Sequence, residues 1–292
     1  MRQLDKMEYN PEQIKKLLPP RPENSHKGTF GHVLNVAGSE FYTGAAYFSS
    51  VSALKVGCGL VTLASAPSVI KSVSALCPDL IFTPIEKIKN IISFQAVSIG
   101  CGLSQGVNAV KVFKKVINLM EDSETPLIID ADGLNIITLA PWGRVQGEGS
   151  NLPKNLILTP HPKELSRLMG VSLEDILNEP ELWAKKCCEN FNCTTVLKLH
   201  KTIVADNYGN FYVNNTGNSA LSHGGSGDVL TGMISGFSAQ GMKNFDACCL
   251  AVYLHGLAGE LASKDLTEYS TLASDLVNYI PKAIKSTISS II

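Results

Sequence analysis

His32-Val33-Leu34-Asn35-Val36-Ala37-Gly38-Ser39 is a short, mostly apolar run closed by glycine and a polar loop, and it is followed by Gly44-Ala45-Ala46. Tyr47, Val51, Leu54 and Cys58 then recur at i, i+4, i+7 and i+11, after which Leu60 to Ser65 forms a second apolar run. Short apolar runs closed by glycine suit buried parallel strands, and the 3.6-residue recurrence between them marks a helix with one buried face. The reading is strand, helix ending near Gly57, strand: one βαβ unit, the element from which parallel sheets are built.

The same alternation extends outward. Strands are expected at Ala96 to Gly100, Pro126 to Asp130 and Leu156 to Pro160, with helices at about Val107 to Met120, Gly133 to Leu139 and Leu173 to Asn190. Thr194 to Leu199, Thr202 to Ala205 and Phe211 to Asn214 read as further strands, the last two joined by a turn at Asp206-Asn207-Tyr208-Gly209. Ala247, Leu250, Leu254, Leu257 and Leu261 step by three and four, and a final helix starts near Thr271. The fold class expected is α/β: a mainly parallel central sheet with helices on both faces, in three layers. No repeat or low-complexity stretch divides residues 1–292, Trp142 to Asn151 reads as a surface loop, and one domain is expected. Ligands bind where strands end, so the loops of interest are Gly38 to Gly44, Gly100 to Gln105, Asp130 to Asn135 and Thr159 to Glu164.

Composition sets bounds on function. Hydrophobic residues at 45% exclude a disordered chain, and 25 Lys and Arg against 26 Asp and Glu leave no overall field to hold nucleic acid or an anionic membrane. The N-terminal stretch has no apolar core of a signal peptide, no run reaches membrane-span length, and eight sparse cysteines make no disulfide framework. A soluble, unprocessed cytoplasmic protein is expected, with no structural zinc.

The densest glycine cluster is Ser222-His223-Gly224-Gly225-Ser226-Gly227-Asp228, running into Val229-Leu230-Thr231-Gly232. Glycines ahead of a helix let main-chain N–H groups converge on a phosphate, with the helix dipole behind them. The cluster lacks the Gly-Lys-Ser/Thr ending of a P-loop. Asp228 in the first turn either accepts a proton from a substrate hydroxyl or simply stabilises the helix start. Thr159-Pro160-His161-Pro162 is equally two-sided: the prolines present His161 to a ligand, or form a rigid strand-to-helix turn. Asp130 and Asp132 end an apolar strand and either contact Mg²⁺ or substrate hydroxyls, or cap a helix at Asp132. Cys101 reads as a buried loop thiol and His255 as structural.

Taken together, these pieces resemble the ADP/ATP-dependent NAD(P)H-hydrate dehydratase family within the ribokinase-like superfamily. The matching segments are Lys27 to Gly31, Ala37-Gly38-Ser39 with Gly44-Ala45, Gly100 to Leu103, Ile129 to Asp132 with Asn135, Leu158 to Pro162 with Glu164, Val196-Leu197-Lys198 with Thr202, and Thr216-Gly217-Asn218 leading to Gly224 through Gly236. The resemblance implies phosphorylation of the ring hydroxyl of NADHX or NADPHX by ADP or ATP with Mg²⁺, then loss of phosphate to restore NADH or NADPH. It implies that Ala45, Gly102, His161 and Asp228 line the hydrate site, with Asp228 the base. Lys198, Leu199, His200, Lys201 and Thr202, with Gly224, Gly225, Ser226 and Gly227, would hold the nucleotide. It also implies a homotetramer, no fused epimerase domain, and hence a separate epimerase partner. Three positions depart from the family's usual pattern: Cys101 stands between two glycines where proline is common, Leu199 follows Lys198 where glycine is common, and His223 precedes Gly224 where lysine is common. Alternatives to this reading are a kinase for a small alcohol, such as a vitamin precursor or sugar, and a nucleotide-sensing module without turnover.

Overall fold

The computed structural model describes residues 9–139 and 152–289, so the expected surface loop Trp142 to Asn151 lies outside the described residues. In chain order the elements are α1 (Pro11–Leu17), β1 (His32–Val36), α2 (Thr43–Lys55), β2 (Leu60–Ser65), α3 (Pro67–Ser74), β3 (Ile81–Pro84), β4 (Ala96–Ile99) and α4 (Val107–Met120). There follow β5 (Leu127–Ile129), α5 (Asp132–Leu139), β6 (Leu156–Leu158), α6 (Pro162–Met169), α7 (Leu173–Asn178), α8 (Pro180–Phe191) and β7 (Cys193–Leu197). The chain then forms β8 (Ile203–Ala205), β9 (Phe211–Val213), α9 (Ser226–Ala239), α10 (Asn244–Leu266) and α11 (Ala273–Ser289).

The nine strands form one sheet in the order β3-β2-β1-β4-β5-β6-β7-β8-β9. β3 through β7 are parallel, and β7-β8-β9 pair antiparallel at the far edge. The α/β expectation therefore holds. Between β1 and β4 the winding reverses direction, which opens a crevice at their C-terminal ends.

Period-two alternation sends Val33, Val61, Ile128, Ile157 and Val196 into one core and Leu34, Val97, Leu127, Ile129 and Leu158 into the other. α2, α9, α10 and α11 cover the first face, while α4, α5, α6 and α8 cover the second. α10 is long and apolar enough to cross a membrane by length and composition, but most of it is buried in the first core against α9 and α11.

Close approach of α9 to α2 sets the position of the glycine cluster. A Cβ at Gly232 would lie 2.1 Å from the Ser49 carbonyl oxygen, and one at Gly236 would lie 2.6 Å from that of Ala53. Only glycine permits this separation. Beneath it, buried Asn35 donates to Ser49 Oγ at 2.8 Å and Ser50 Oγ at 2.9 Å and accepts from Ser98 Oγ at 2.9 Å, tying β1 to α2 and β4.

Three local expectations are corrected. The helix expected from Leu173 to Asn190 is two helices, because Pro180 starts a new one after Glu179. The strand β3 was not anticipated, being a short, half-exposed edge strand that ends in Pro84. α1 lies in the proline-bearing lead, where Asn10 and Gln13 form a capping box that would have signalled it.

Candidate active site

Five parallel strands end in loops that converge on the start of α9. Gly100 and Gly102, after β4, have φ of 123° and 61°, a conformation open to glycine, and the turn they make buries Cys101 between them. The Cys101 carbonyl accepts from Gly38 N at 2.8 Å, locking the β1 and β4 loops together. A Cβ at Gly102 would stand 2.7 Å from Ala45 Cβ, so these two expected hydrate-site residues adjoin.

Asp130, at the end of β5, is buried and receives Lys198 Nζ on Oδ1 at 2.6 Å and Thr231 Oγ1 on Oδ2 at 2.7 Å. Burial works against its charge, yet the Lys198 ammonium and these hydrogen bonds hold its carboxyl below the usual value. Lys198 is also 3.9 Å from Glu164 Oε2. Burial opposes the ammonium charge, but the two carboxylates raise its affinity for the proton. Sequence reasoning placed Asp130, Glu164 and Lys198 in separate motifs and missed that they form one ion cluster. No spacing rule links residues on β5, α6 and β7.

Asp228 sits in the first turn of α9, behind Gly225, whose φ of 93° turns the chain into the helix. Its carboxylate lies within 4.8 Å of a carboxylate oxygen of Asp130 and of Cys101 Sγ. Burial and then the Asp130 charge push the Asp228 carboxyl up to about 6, against the opposing pull of Cys101 and Lys198. It is thus a stronger base than an ordinary carboxylate, yet still ionised at neutral pH, and it stands beside the Gly227 and Asp228 N–H groups of the helix start.

His161 is the N-cap of α6: its Nδ1 accepts from Lys163 N at 3.1 Å and Glu164 N at 3.4 Å, while Glu164 Oε2 accepts from His161 N at 2.8 Å. Burial and the Lys198 and Arg167 charges lower it to about 4, so the ring is neutral, with its proton on Nε2. Glu164 is raised to about 7, chiefly by burial. Pro162 begins the helix as expected, and His161 caps α6 while its ring lies within electrostatic reach of Lys198 and Asp130.

The other expected nucleotide residues fall into two groups. Lys198 to Thr202 form the turn from β7 to β8, with His200 and Lys201 exposed and Thr202 Oγ1 donating to the Leu199 carbonyl at 3.1 Å. Gly227 meets that turn: a Cβ there would lie 3.6 Å from Lys198 Nζ. Gly224 is exposed, whereas Ser226 is buried with its Oγ 3.2 Å from His255 Nε2 on α10, away from the turn. His255 is buried, which lowers it to about 4. Asp132 does not cap α5 from outside as one reading had it. It is the first helical residue, and its carboxylate takes Ser104 N at 2.7 Å and Gln105 Nε2 at 3.0 Å.

Whether these residues suit Mg²⁺ follows from their chemistry. Asp130 has both oxygens hydrogen-bonded and burial keeps the Cys101 thiol protonated, so of the three clustered groups Asp228 offers the less engaged carboxylate. That set does not enclose a cation but fits Mg²⁺ carried by donor phosphates, which keeps most of its waters and takes one or two protein carboxylates.

A winding reversal beside a glycine-started helix that carries a carboxylate belongs to the ribokinase-like class. A ribokinase-like superfamily protein from Enterococcus faecalis superposes with a TM-score of 0.85 at 25% identity, covering 97% of this chain and 96% of its own. Residues 33–282 match the NAD(P)H-hydrate dehydratase family, and the chain belongs to that family. It is 37% identical to the ADP-dependent (S)-NAD(P)H-hydrate dehydratase of Neisseria meningitidis serogroup B over 82% of this chain and 80% of that one. The ADP/ATP-dependent NAD(P)H-hydrate dehydratase of Bacillus subtilis, co-crystallised with ATP/Mg²⁺, superposes with a TM-score of 0.83 at 30% identity, covering 95% and 97% of the two chains. The chain spans about half the length of the bifunctional NAD(P)H-hydrate repair enzyme of Moorella thermoacetica, to which it is 35% identical.

Proposed function

We propose that this protein is a nucleotide-dependent (S)-NAD(P)H-hydrate dehydratase, returning NADHX or NADPHX to NADH or NADPH in metabolite repair. The observation that carries the reading is Asp228, a carboxylate of raised basicity at the glycine start of α9, facing the Gly100–Gly102 turn. In this reading Ala45, Gly102, His161 and Asp228 line the hydrate pocket. Lys198 to Thr202 and the main chain of Gly224 to Gly227 hold ADP or ATP, the Ser226 side chain being turned to His255. Both pockets belong to one domain.

Hydroxide is a poor leaving group, and phosphorylation converts it to a good one. Asp228 takes the proton of the ring hydroxyl as its oxygen bonds to the terminal phosphorus of the donor. The bond from that phosphorus to the bridging oxygen breaks, and AMP or ADP leaves. The C–O bond then breaks with inorganic phosphate departing, and the adjacent ring carbon gives up a proton to that phosphate, its C–H electron pair restoring the ring double bond. Main-chain N–H groups of Gly227 and Asp228 face the charge that builds on the phosphoryl oxygens. Mg²⁺ brought in with the donor's phosphates beside Asp228 would lower the charge that the attacking oxygen meets. Neutral His161, its Nε2 3.4 Å from Glu164 Oε1, borders the substrate without adding charge beside Lys198.

All eight cysteines are free and buried, which supports a reducing, cytoplasmic setting. A homotetramer is the proposed assembly, and an epimerase that supplies the S hydrate is its expected functional neighbour. The test is purified protein with S-NADHX, Mg²⁺ and each donor in turn: the absorbance of reduced nicotinamide should appear with stoichiometric free phosphate. A stable phosphorylated product would instead indicate a small-molecule kinase.

A further inference from the structure

The turn that carries Gly102 has an unusual backbone shape. Gly100, Gly102 and Ser104 all have positive φ, at 123°, 61° and 72°. Glycine takes such angles freely, whereas serine, which has a Cβ, takes them at a cost. Four non-glycine residues among the described residues have positive φ, and Ala131, at 48°, is another of them. Ser104 and Ala131 flank a single carboxylate: Asp132, next in chain to Ala131, accepts from Ser104 N at 2.7 Å on Oδ2 and from Gln105 Nε2 at 3.0 Å on Oδ1. Backbone strain of this kind persists only where surrounding contacts over-determine it.

Main-chain contacts hold the rest of the turn. Gly38 N donates to the Cys101 carbonyl at 2.8 Å on the β1 side, and Leu103 N closes the turn on the Gly100 carbonyl at 3.1 Å. On the β5 side Gly100 lies against the start of α5, where a Cβ on it would collide with the Asp130 carbonyl oxygen and stand 2.7 Å from Gly133 N. Asp132 extends that contact to the two residues after Leu103, and so fixes the direction in which the chain leaves Gly102. A hydrogen bond to a carboxylate is stronger than one to a neutral acceptor, which suits it to hold a serine at positive φ. The Lys198 to Thr202 turn follows β7, three strands along the sheet from β4.

We infer that Asp132 is a positioning residue for the hydrate site: by gripping Ser104 and Gln105 it holds the Gly100–Gly102 turn in the shape that receives the hydrated ring, an inference that rests on the dehydratase reading. Its charge also reaches Asp228, so two variants are compared. Asp132→Ala removes both grip and charge, whereas Asp132→Asn removes the charge and keeps an oxygen for Ser104 N. In the alanine variant KM for NADHX should rise about tenfold, the scale of one hydrogen bond to a charged acceptor, while KM for the nucleotide donor stays within about twofold and asparagine restores KM for NADHX to within about threefold of the parent. Equal losses in the two variants, a donor KM that rises in step, or a lowered kcat with the hydrate KM unmoved overturns the inference and leaves the dehydratase reading standing. No turnover of the hydrate by the unaltered protein overturns the dehydratase reading itself. Amide hydrogen exchange gives a readout that needs neither turnover nor a folded alanine variant: in the unaltered protein and in Asp132→Asn the Ser104 amide should exchange at least about tenfold more slowly than an unprotected one. A Ser104 amide that exchanges freely in the unaltered protein overturns the inference.

Discussion

Replacing Asp228 with asparagine should cut turnover sharply and stabilise the protein at once. Asparagine keeps the shape of the side chain and removes its charge. Loss of a general base lowers turnover by about two to four orders of magnitude. The stability gain follows from burial, because an acid raised from 3.8 to about 6 is ionised at neutral pH against a penalty of about 3 kcal/mol. The sign is that of a raised acid: the penalty is absent below the unfolded value of 3.8, grows between 3.8 and about 6, and is complete above. A carboxylate in the first helical turn also draws about 0.3–1 kcal/mol from the helix dipole, which asparagine forfeits. The net gain is therefore about 2 kcal/mol near neutral pH, or roughly 3 °C in Tm for a chain of this size. Paired thermal melts of both proteins at about pH 7.5 and pH 3.5, with the repair assay alongside, measure it. The advantage should shrink to nothing at the acid end. An asparagine variant less stable than the parent at neutral pH, or one that still turns over the hydrate, would refute the account of a strained, ionised base.

Other perturbations probe the neighbouring groups. Lys198→Met leaves Asp130 buried and unpaired and should cost about 3–5 kcal/mol in denaturant unfolding, much of it recovered in the Lys198→Met, Asp130→Asn double variant. Cys101→Ala removes a hydrogen bond that favours the Asp228 carboxylate, so the rising limb of kcat/KM against pH should move upward from about 6; an unmoved limb would deny the contact. His161→Ala should lose about 1 kcal/mol as a helix cap, while His161→Asn keeps the cap; loss of hydrate affinity in both separates the two roles in melts and KM values. Gly232→Ala forces a Cβ against the Ser49 carbonyl and should destabilise by about 1–3 kcal/mol, measured by urea unfolding.

The alternation of apolar runs with helical spacing determined the α/β class, the parallel sheet and the loops at which chemistry occurs, because strand and helix periods are local properties of the chain. The glycine cluster ahead of α9 and the proline-flanked His161 were legible for the same reason: each constrains its own backbone. The weak local signals were the ones misjudged, namely the half-exposed edge strand β3 and the break before Pro180. What only the tertiary structure decided was which charges meet. Asp130, Glu164, Lys198 and Thr231 come from four different elements, and their pairing depends on strand order and on two helices that approach closely at Gly232. The basicity of Asp228 belongs to the same level: burial and the neighbouring Asp130 charge set it, and both are properties of three-dimensional packing.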